Sequence, residues 1–185
     1  MSHINWRAAF AYAVAVLLLA GGLALADLKA GDKGPDFTIK AVDGKEFKLK
    51  PLVTKGKDQK AVVLIAFWGT WCPPCRAEAP HLQALYQKYN QQRLAMIGIA
   101  VGDTPKKVSD FARANSLAYT LAIDTDGDIC AKYGVLARDG MVHGPQLFIL
   151  DSSGTMRFHH VGYAIGSEKM VEKEIKQLLA EKPKP

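Results

Sequence analysis

Cys72 and Cys75 stand with two residues between them in Trp71-Cys72-Pro73-Pro74-Cys75, between a continuous apolar run and a stretch of helical spacing. On the first turn of a helix that spacing brings two thiols within bonding range. The helix N-terminus adds partial positive charge and unpaired N–H groups, which favour a thiolate. The first cysteine, nearest the helix start, is expected to be the exposed nucleophile, and the second to resolve a mixed disulfide from inside. Pro73 and Pro74 stiffen the turn at little cost, because the leading N–H groups have no helical partner anyway. A purely structural disulfide closing so small a ring removes little entropy from the unfolded chain. A zinc site needs a second ligand pair, and no other Cys-x-x-Cys and no His-x₃₋₅-His occurs. The spacing points to a redox-active disulfide.

The elements that must position this pair can be read from periodicity. Residues 36–40 and 46–49 flank Asp43-Gly44 and predict a β-hairpin. Residues 61–67 are uninterrupted apolar, as in a strand buried on both faces, and 94–101 repeat the pattern. Between them, residues 76–89 carry Leu82, Leu85, Tyr86 and Tyr89 at helical spacing. Thr104-Pro105 opens a further helix to about Asn115. A short strand over 119–123 and a short helix over 128–133 follow. A second hairpin joins 146–150 to 155–161, and a closing amphipathic helix over 167–179 is expected to be capped by Ser167. This order predicts an α/β domain with a central mixed β-sheet and helices on both faces.

The chain has 185 residues, 49% hydrophobic and 23% charged, which excludes a disordered or low-complexity protein. Residues 1–26 contain no acid and one base, Arg7, followed by an apolar run from Ala8 that ends in Ala24-Leu25-Ala26. These are the marks of a secretory signal peptide; an uncleaved membrane anchor is the alternative. Either way residues 27–185, one domain, are expected to be exported to the periplasm or the outer face of the cytoplasmic membrane. The net charge of +6 rests largely on lysines: Lys45, Lys48, Lys50, Lys55, Lys57 and Lys60 in one stretch, and Lys182 and Lys184 at the tail. Little arginine or aromatic interleaving accompanies them, so nucleic acid is not an expected partner. Solvated loop faces, or attraction to an anionic membrane or an acidic partner, remain.

The segment Phe67-Trp68-Gly69-Thr70-Trp71-Cys72-Pro73-Pro74-Cys75-Arg76-Ala77-Glu78 resembles the active-site region of the thioredoxin-like TlpA/ResA group of exported thiol-disulfide oxidoreductases. The resemblance runs from Gly34-Pro35-Asp36-Phe37 to the last helix. It implies a thioredoxin fold with an added N-terminal β-hairpin and no cofactor. It also implies that Glu78 is an acid beneath the cysteines that tunes the thiols, and that Trp71 borders the nucleophile. Trp71, Pro73, Pro74, Gly144 and Pro145 would form the substrate-binding surface. Pro145 would be a cis-proline exposing the backbone of Gly144 to a substrate strand. By the same resemblance the substrate is a disulfide-containing exported protein, an apocytochrome c (as in cytochrome c biogenesis) or a copper-site protein among others. A membrane electron donor would restore the dithiol.

The chain also departs from the group. Cytoplasmic thioredoxins carry a buried Asp six residues before the first cysteine, where this chain has Ala66, so proton relay must fall to Glu78 or water. Residues 136–143 look like an insertion beside the substrate groove, with His143 two residues from Pro145. His159 and His160 read as surface alternation rather than a metal site, and Cys130 as a small core residue. Two other readings stay open. A peroxiredoxin-like thiol peroxidase would need Pro-x-x-x-Thr-x-x-Cys, whereas Thr70 precedes Cys72 by two residues. A copper-binding chaperone could use the thiols and His143, although related chaperones space their cysteines by three.

Overall fold

A computed structural model of the chain describes residues 28–137 and 142–181. The 1–26 segment, most of the insertion's tip and the lysines of the tail lie outside the described residues.

The all-apolar run forms β3 (Val62–Trp68), buried along its whole length. It is the middle strand of a five-stranded sheet ordered β5-β4-β3-β6-β7, with β4 at Leu94–Ala100, β5 at Thr120–Ile123, β6 at Gln146–Asp151 and β7 at Met156–Val161. β3 pairs in parallel with β4, Val62 to Leu94 through Trp68 to Ala100. It pairs antiparallel with β6, Val62 to Asp151 through Phe67 to Gln146. β5 adds to β4 in parallel and β7 to β6 antiparallel, so the sheet is mixed, as expected.

Alternation along β3 divides the core in two. Leu64, Ala66 and Trp68 face one cluster. It receives the apolar stripes of α2 (Pro73–Tyr89), α3 (Pro105–Ala114) and α5 (Glu168–Ala180). Val63, Ile65 and Phe67 face the other, with Phe37, Phe47, Tyr133 and Phe148. There Phe67 meets Tyr133 at 5.5 Å and Phe148 at 5.7 Å between ring centroids. Each fully buried side chain of this kind contributes about 1.5–3 kcal/mol, so β3 is the most firmly held strand. The short helix α4 (Asp128–Lys132) packs on this second face.

The expected N-terminal hairpin is present as β1 (Thr38–Lys40) and β2 (Glu46–Lys48), closed by a turn with Gly44 at φ +87°. It joins the sheet edge through Val42, whose N–H donates to the Leu121 carbonyl at 2.8 Å. Two local readings differ. Leu49, expected in the strand, begins the five-residue helix α1 (Leu49–Val53), where it is 1% exposed. Ser167 precedes α5 but makes no side-chain cap; the Glu168 carboxylate instead accepts from the Gly166 N–H just ahead of the helix at 2.9 Å.

Candidate active site

β3 delivers the chain to the centre of one end of the sheet, and the next turn carries the cysteines. Cys72 is the N-cap of α2, extended at φ −95° and ψ 107°, with Pro73 and Pro74 in the first turn. Its Sγ accepts from the Cys75 N–H at 3.3 Å. Cys72 and Cys75 are joined by a disulfide, S–S 2.07 Å and Cα–Cα 5.3 Å. Cys72 is not the exposed member that its position suggests, since each cysteine is 3% exposed. The accessible surface around the bond comes from Trp71, Pro73 and Pro74. On reduction, a thiolate at Cys72 would sit among the N–H groups and positive pole of a seventeen-residue helix.

The turn is clamped by residues that sequence reasoning did not single out. The Thr70 N–H and hydroxyl both donate to Asp103, each at 2.7 Å. The Trp71 indole, 47% exposed, donates from Nε1 to the Val101 carbonyl at 2.8 Å. It lies close against Gly69, where an added Cβ would stand 2.5 Å from Nε1. The β3–β4 register brings these groups together, because Trp68 opposite Ala100 places residues 69–71 beside 101–103. Only the adjacent Thr104-Pro105 helix start hinted at Asp103.

Glu78 lies one turn beyond Cys75 on the same buried face of α2 and is 7% exposed. Burial pushes its carboxyl up to about 7. It is therefore not a solvated helix carboxylate. It borders a cleft of about 440 Å³ shared with His159, His160, Tyr163, Ser167 and Met170. Tyr163 stacks on His81 at 5.7 Å.

Pro145 stands at the same end of the sheet, because Gln146 pairs with Phe67. The expected cis bond is corrected: no described peptide bond is cis. Gly144, at φ +76°, makes the reversal into β6 by a left-handed backbone that glycine adopts freely, so a trans Gly144–Pro145 bond suffices. The Pro145 carbonyl accepts from the Gly162 N–H at 2.8 Å, which ties this turn to the end of β7. His143 is exposed at the start of the turn. Of the 136–143 insertion, residues 138–141 lie outside the described residues.

The remaining candidates are structural. Cys130 is fully buried, and its N–H donates to Asp124 at 2.8 Å. His160 pairs with Glu174 at 2.7 Å, and His159 stacks on Phe148 at 4.1 Å. Both are thus more engaged than plain surface alternation implies.

Fold and site define a class: a thioredoxin-like redox enzyme with a Cys-x-x-Cys disulfide at a helix N-terminus. Residues 30–159 match the model of the AhpC/TSA family, and the chain belongs to that family. It is similar to thiol-disulfide oxidoreductase ResA of Bacillus thuringiensis subsp. konkukian (strain 97-27), 32% identical over 127 residues, 69% of this chain and 66% of that protein. The chain thus spans just under two thirds of that relative. It is 33% identical over 155 residues to thioredoxin-like protein YneN of Bacillus subtilis (strain 168), covering 82% of this chain and 79% of that one. Among solved structures it resembles a thiol:disulfide interchange protein, thioredoxin family protein, from Chlorobium tepidum TLS. That match has a TM-score of 0.68 and 25% identity over 84% of this chain and all of the other.

Proposed function

We propose that the chain is an exported thiol-disulfide oxidoreductase that reduces protein disulfides. The observation that carries this reading is the Cys72–Cys75 bond at the first turn of α2, with a buried carboxyl one turn below it. In the dithiol form, the Cys72 thiolate attacks a substrate disulfide, forming a Cys72–substrate bond and expelling one substrate thiolate. Cys75 then loses its proton to ionised Glu78 or to water. It attacks Cys72 Sγ, forming the Cys72–Cys75 bond and releasing the second substrate thiolate, which takes up a proton. Two electrons have passed to the substrate, and a membrane electron donor returns them in an exported compartment that lacks a reducing pool.

The exposed Trp71, Pro73 and Pro74 form the near wall of the substrate surface, and Gly144 and Pro145 the far wall with a trans bond. The apolar run of residues 8–26 supports export, with cleavage after Ala26 favoured. Substrates are exported proteins bearing a disulfide, with apocytochrome c and copper-site proteins in that class. The test is trapping in the exported compartment. Cys75→Ser should accumulate mixed disulfides at Cys72, while Cys72→Ser should accumulate none and abolish turnover. Equal trapping by both variants would overturn the division of labour.

The family match keeps a second reading in play, a thiol peroxidase of peroxiredoxin type. Against it, the Thr70 hydroxyl is committed to Asp103 and stands two residues from Cys72. Hydrogen peroxide turnover outpacing reduction of a disulfide substrate would favour the peroxidase.

A further inference from the structure

One end of the molecule carries the disulfide, and the other gathers positive charge from segments far apart in sequence. β3 runs about 20 Å between them. At the far end the Ala61 N–H donates to the Arg93 carbonyl at 2.9 Å, and the Lys60 N–H to the Leu52 carbonyl at 2.8 Å. The Gln59 side chain donates to the Ser152 carbonyl at 3.0 Å, and Lys33 Nζ to the Ser153 carbonyl at 2.7 Å. Gly34 N–H reaches the Gly154 carbonyl at 2.9 Å. These contacts put Lys29, Lys33, Lys50, Lys55, Lys57 and Arg93 on one pole, and all six are exposed. Exposed carboxylates there are few: Asp32, Asp58 and, in the cleft beside Asp58 and Lys60, Glu46, which pairs with Lys48 at 2.9 Å. The nearby Asp151 and Glu181 are already held by Arg157.

The chain enters the fold at this same pole. Leu28 packs against the core, and Gly31 N–H donates to the Met156 carbonyl at 2.8 Å. Asp27 alone separates Leu28 from the end of the apolar run at Ala26. One residue spans at most about 3.6 Å, less than the Debye length of about 8 Å at physiological salt. If residues 8–26 remain in a bilayer, so short a tether holds the lysines within electrostatic reach of the headgroups. If they are removed, the new amino group offsets the carboxylate of Asp27, and the lysines keep their excess.

We propose that this lysine pole is a docking surface for an anionic lipid membrane, which turns the Cys72–Cys75 end away from the bilayer. Charge complementarity selects the partner. Clustered lysines beside an apolar segment are drawn to acidic headgroups, and among the described residues the exposed large hydrophobic side chains, Trp71, Val161, Ile165 and Met170, lie away from the pole. The inference does not depend on the direction of the thiol chemistry.

The test uses the full chain in vesicles of phosphatidylcholine alone or with added phosphatidylglycerol, probed with a membrane-impermeant amine-acylating reagent and peptide mass spectrometry. Lys107 and Lys169, exposed near the disulfide end, are the internal reference. Acylation of Lys50, Lys55 and Lys57 relative to that reference should fall by about threefold or more in the anionic vesicles, and recover in high salt. The double variant Lys55→Glu, Lys57→Glu should lose the protection of Lys50 while reducing disulfides at the parent rate. A ratio that is the same in both vesicle types, or protection of Lys107 and Lys169 in place of the pole, overturns the proposal.

Discussion

Asp103 holds Thr70 by both of its donors, backbone N–H and hydroxyl, at 2.7 Å each. Thr70 is two residues before Cys72, and Asp103 lies 33 residues from Thr70 in the chain. The pair fixes the turn that aims Cys72 at the helix axis. Asp103→Ala leaves a half-buried N–H without its acceptor, at a cost of about 1–3 kcal/mol. Urea unfolding should register that loss. Reduction of a model disulfide should also slow more than the stability change explains. Thr70→Val in the same background should add little, because both changes remove one interaction; full additivity would show that the clamp does not act as a unit.

Glu78 predicts a pH dependence. A carboxyl that ionises near 4.5 in the unfolded chain and about 7 in the fold binds its proton more tightly in the native state. Its contribution is therefore full below about pH 4.5 and is lost as pH rises through 7. The difference is on the order of 3 kcal/mol. Glu78→Gln should flatten stability across that window. In the reduced protein it should also lower the thiol pKa, because a neighbouring carboxylate opposes a second negative charge. The groups titrate as a set and need a joint fit. Thiolate absorbance that titrates identically in the variant would detach Glu78 from the cysteines.

Gly69→Ala should displace the Trp71 indole, because its Cβ would fall 2.5 Å from Nε1. The hydrogen bond to Val101 would break, and overpacking of this kind costs about 1–3 kcal/mol. Near-ultraviolet circular dichroism and tryptophan emission report the displacement. Spectra matching the parent would mean that the backbone yields instead of the ring.

Cys130 should be chemically silent. Burial first, then its hydrogen bond to Asp124 and the charge of that carboxyl, push its thiol well above the ordinary range. In the native reduced protein, alkylation should modify the Cys72–Cys75 pair and spare Cys130, which should react only as fast as the molecule unfolds. Simultaneous modification of three thiols would contradict this.

Much of this architecture is legible in the sequence because its signals are local. The uninterrupted apolar run of β3, the Thr104-Pro105 start and the cysteine spacing each report on a few adjacent residues. Thr104 does accept from the Lys107 N–H, at 3.3 Å. Glu78 was placed by family resemblance, and its depth follows from sharing the Cys75 face of α2. What could not be read depends on tertiary register. Thr70 meets Asp103 only once β3 and β4 pair. Leu49 leaves its strand for α1 because the second core cluster draws it in, and Pro145 stays trans because Gly144 supplies the bend.

The central position of β3 has a consequence for how the molecule breathes. Its residues have strand neighbours on both sides from Val62 to Phe67, so their amides should exchange with solvent deuterium only through global unfolding. The β1–β2 pair, three residues long on each side, should open in small excursions that leave the sheet intact. The cysteines thus hang from the strand expected to exchange most slowly, and opening and closing of their disulfide should leave the scaffold beneath it closed.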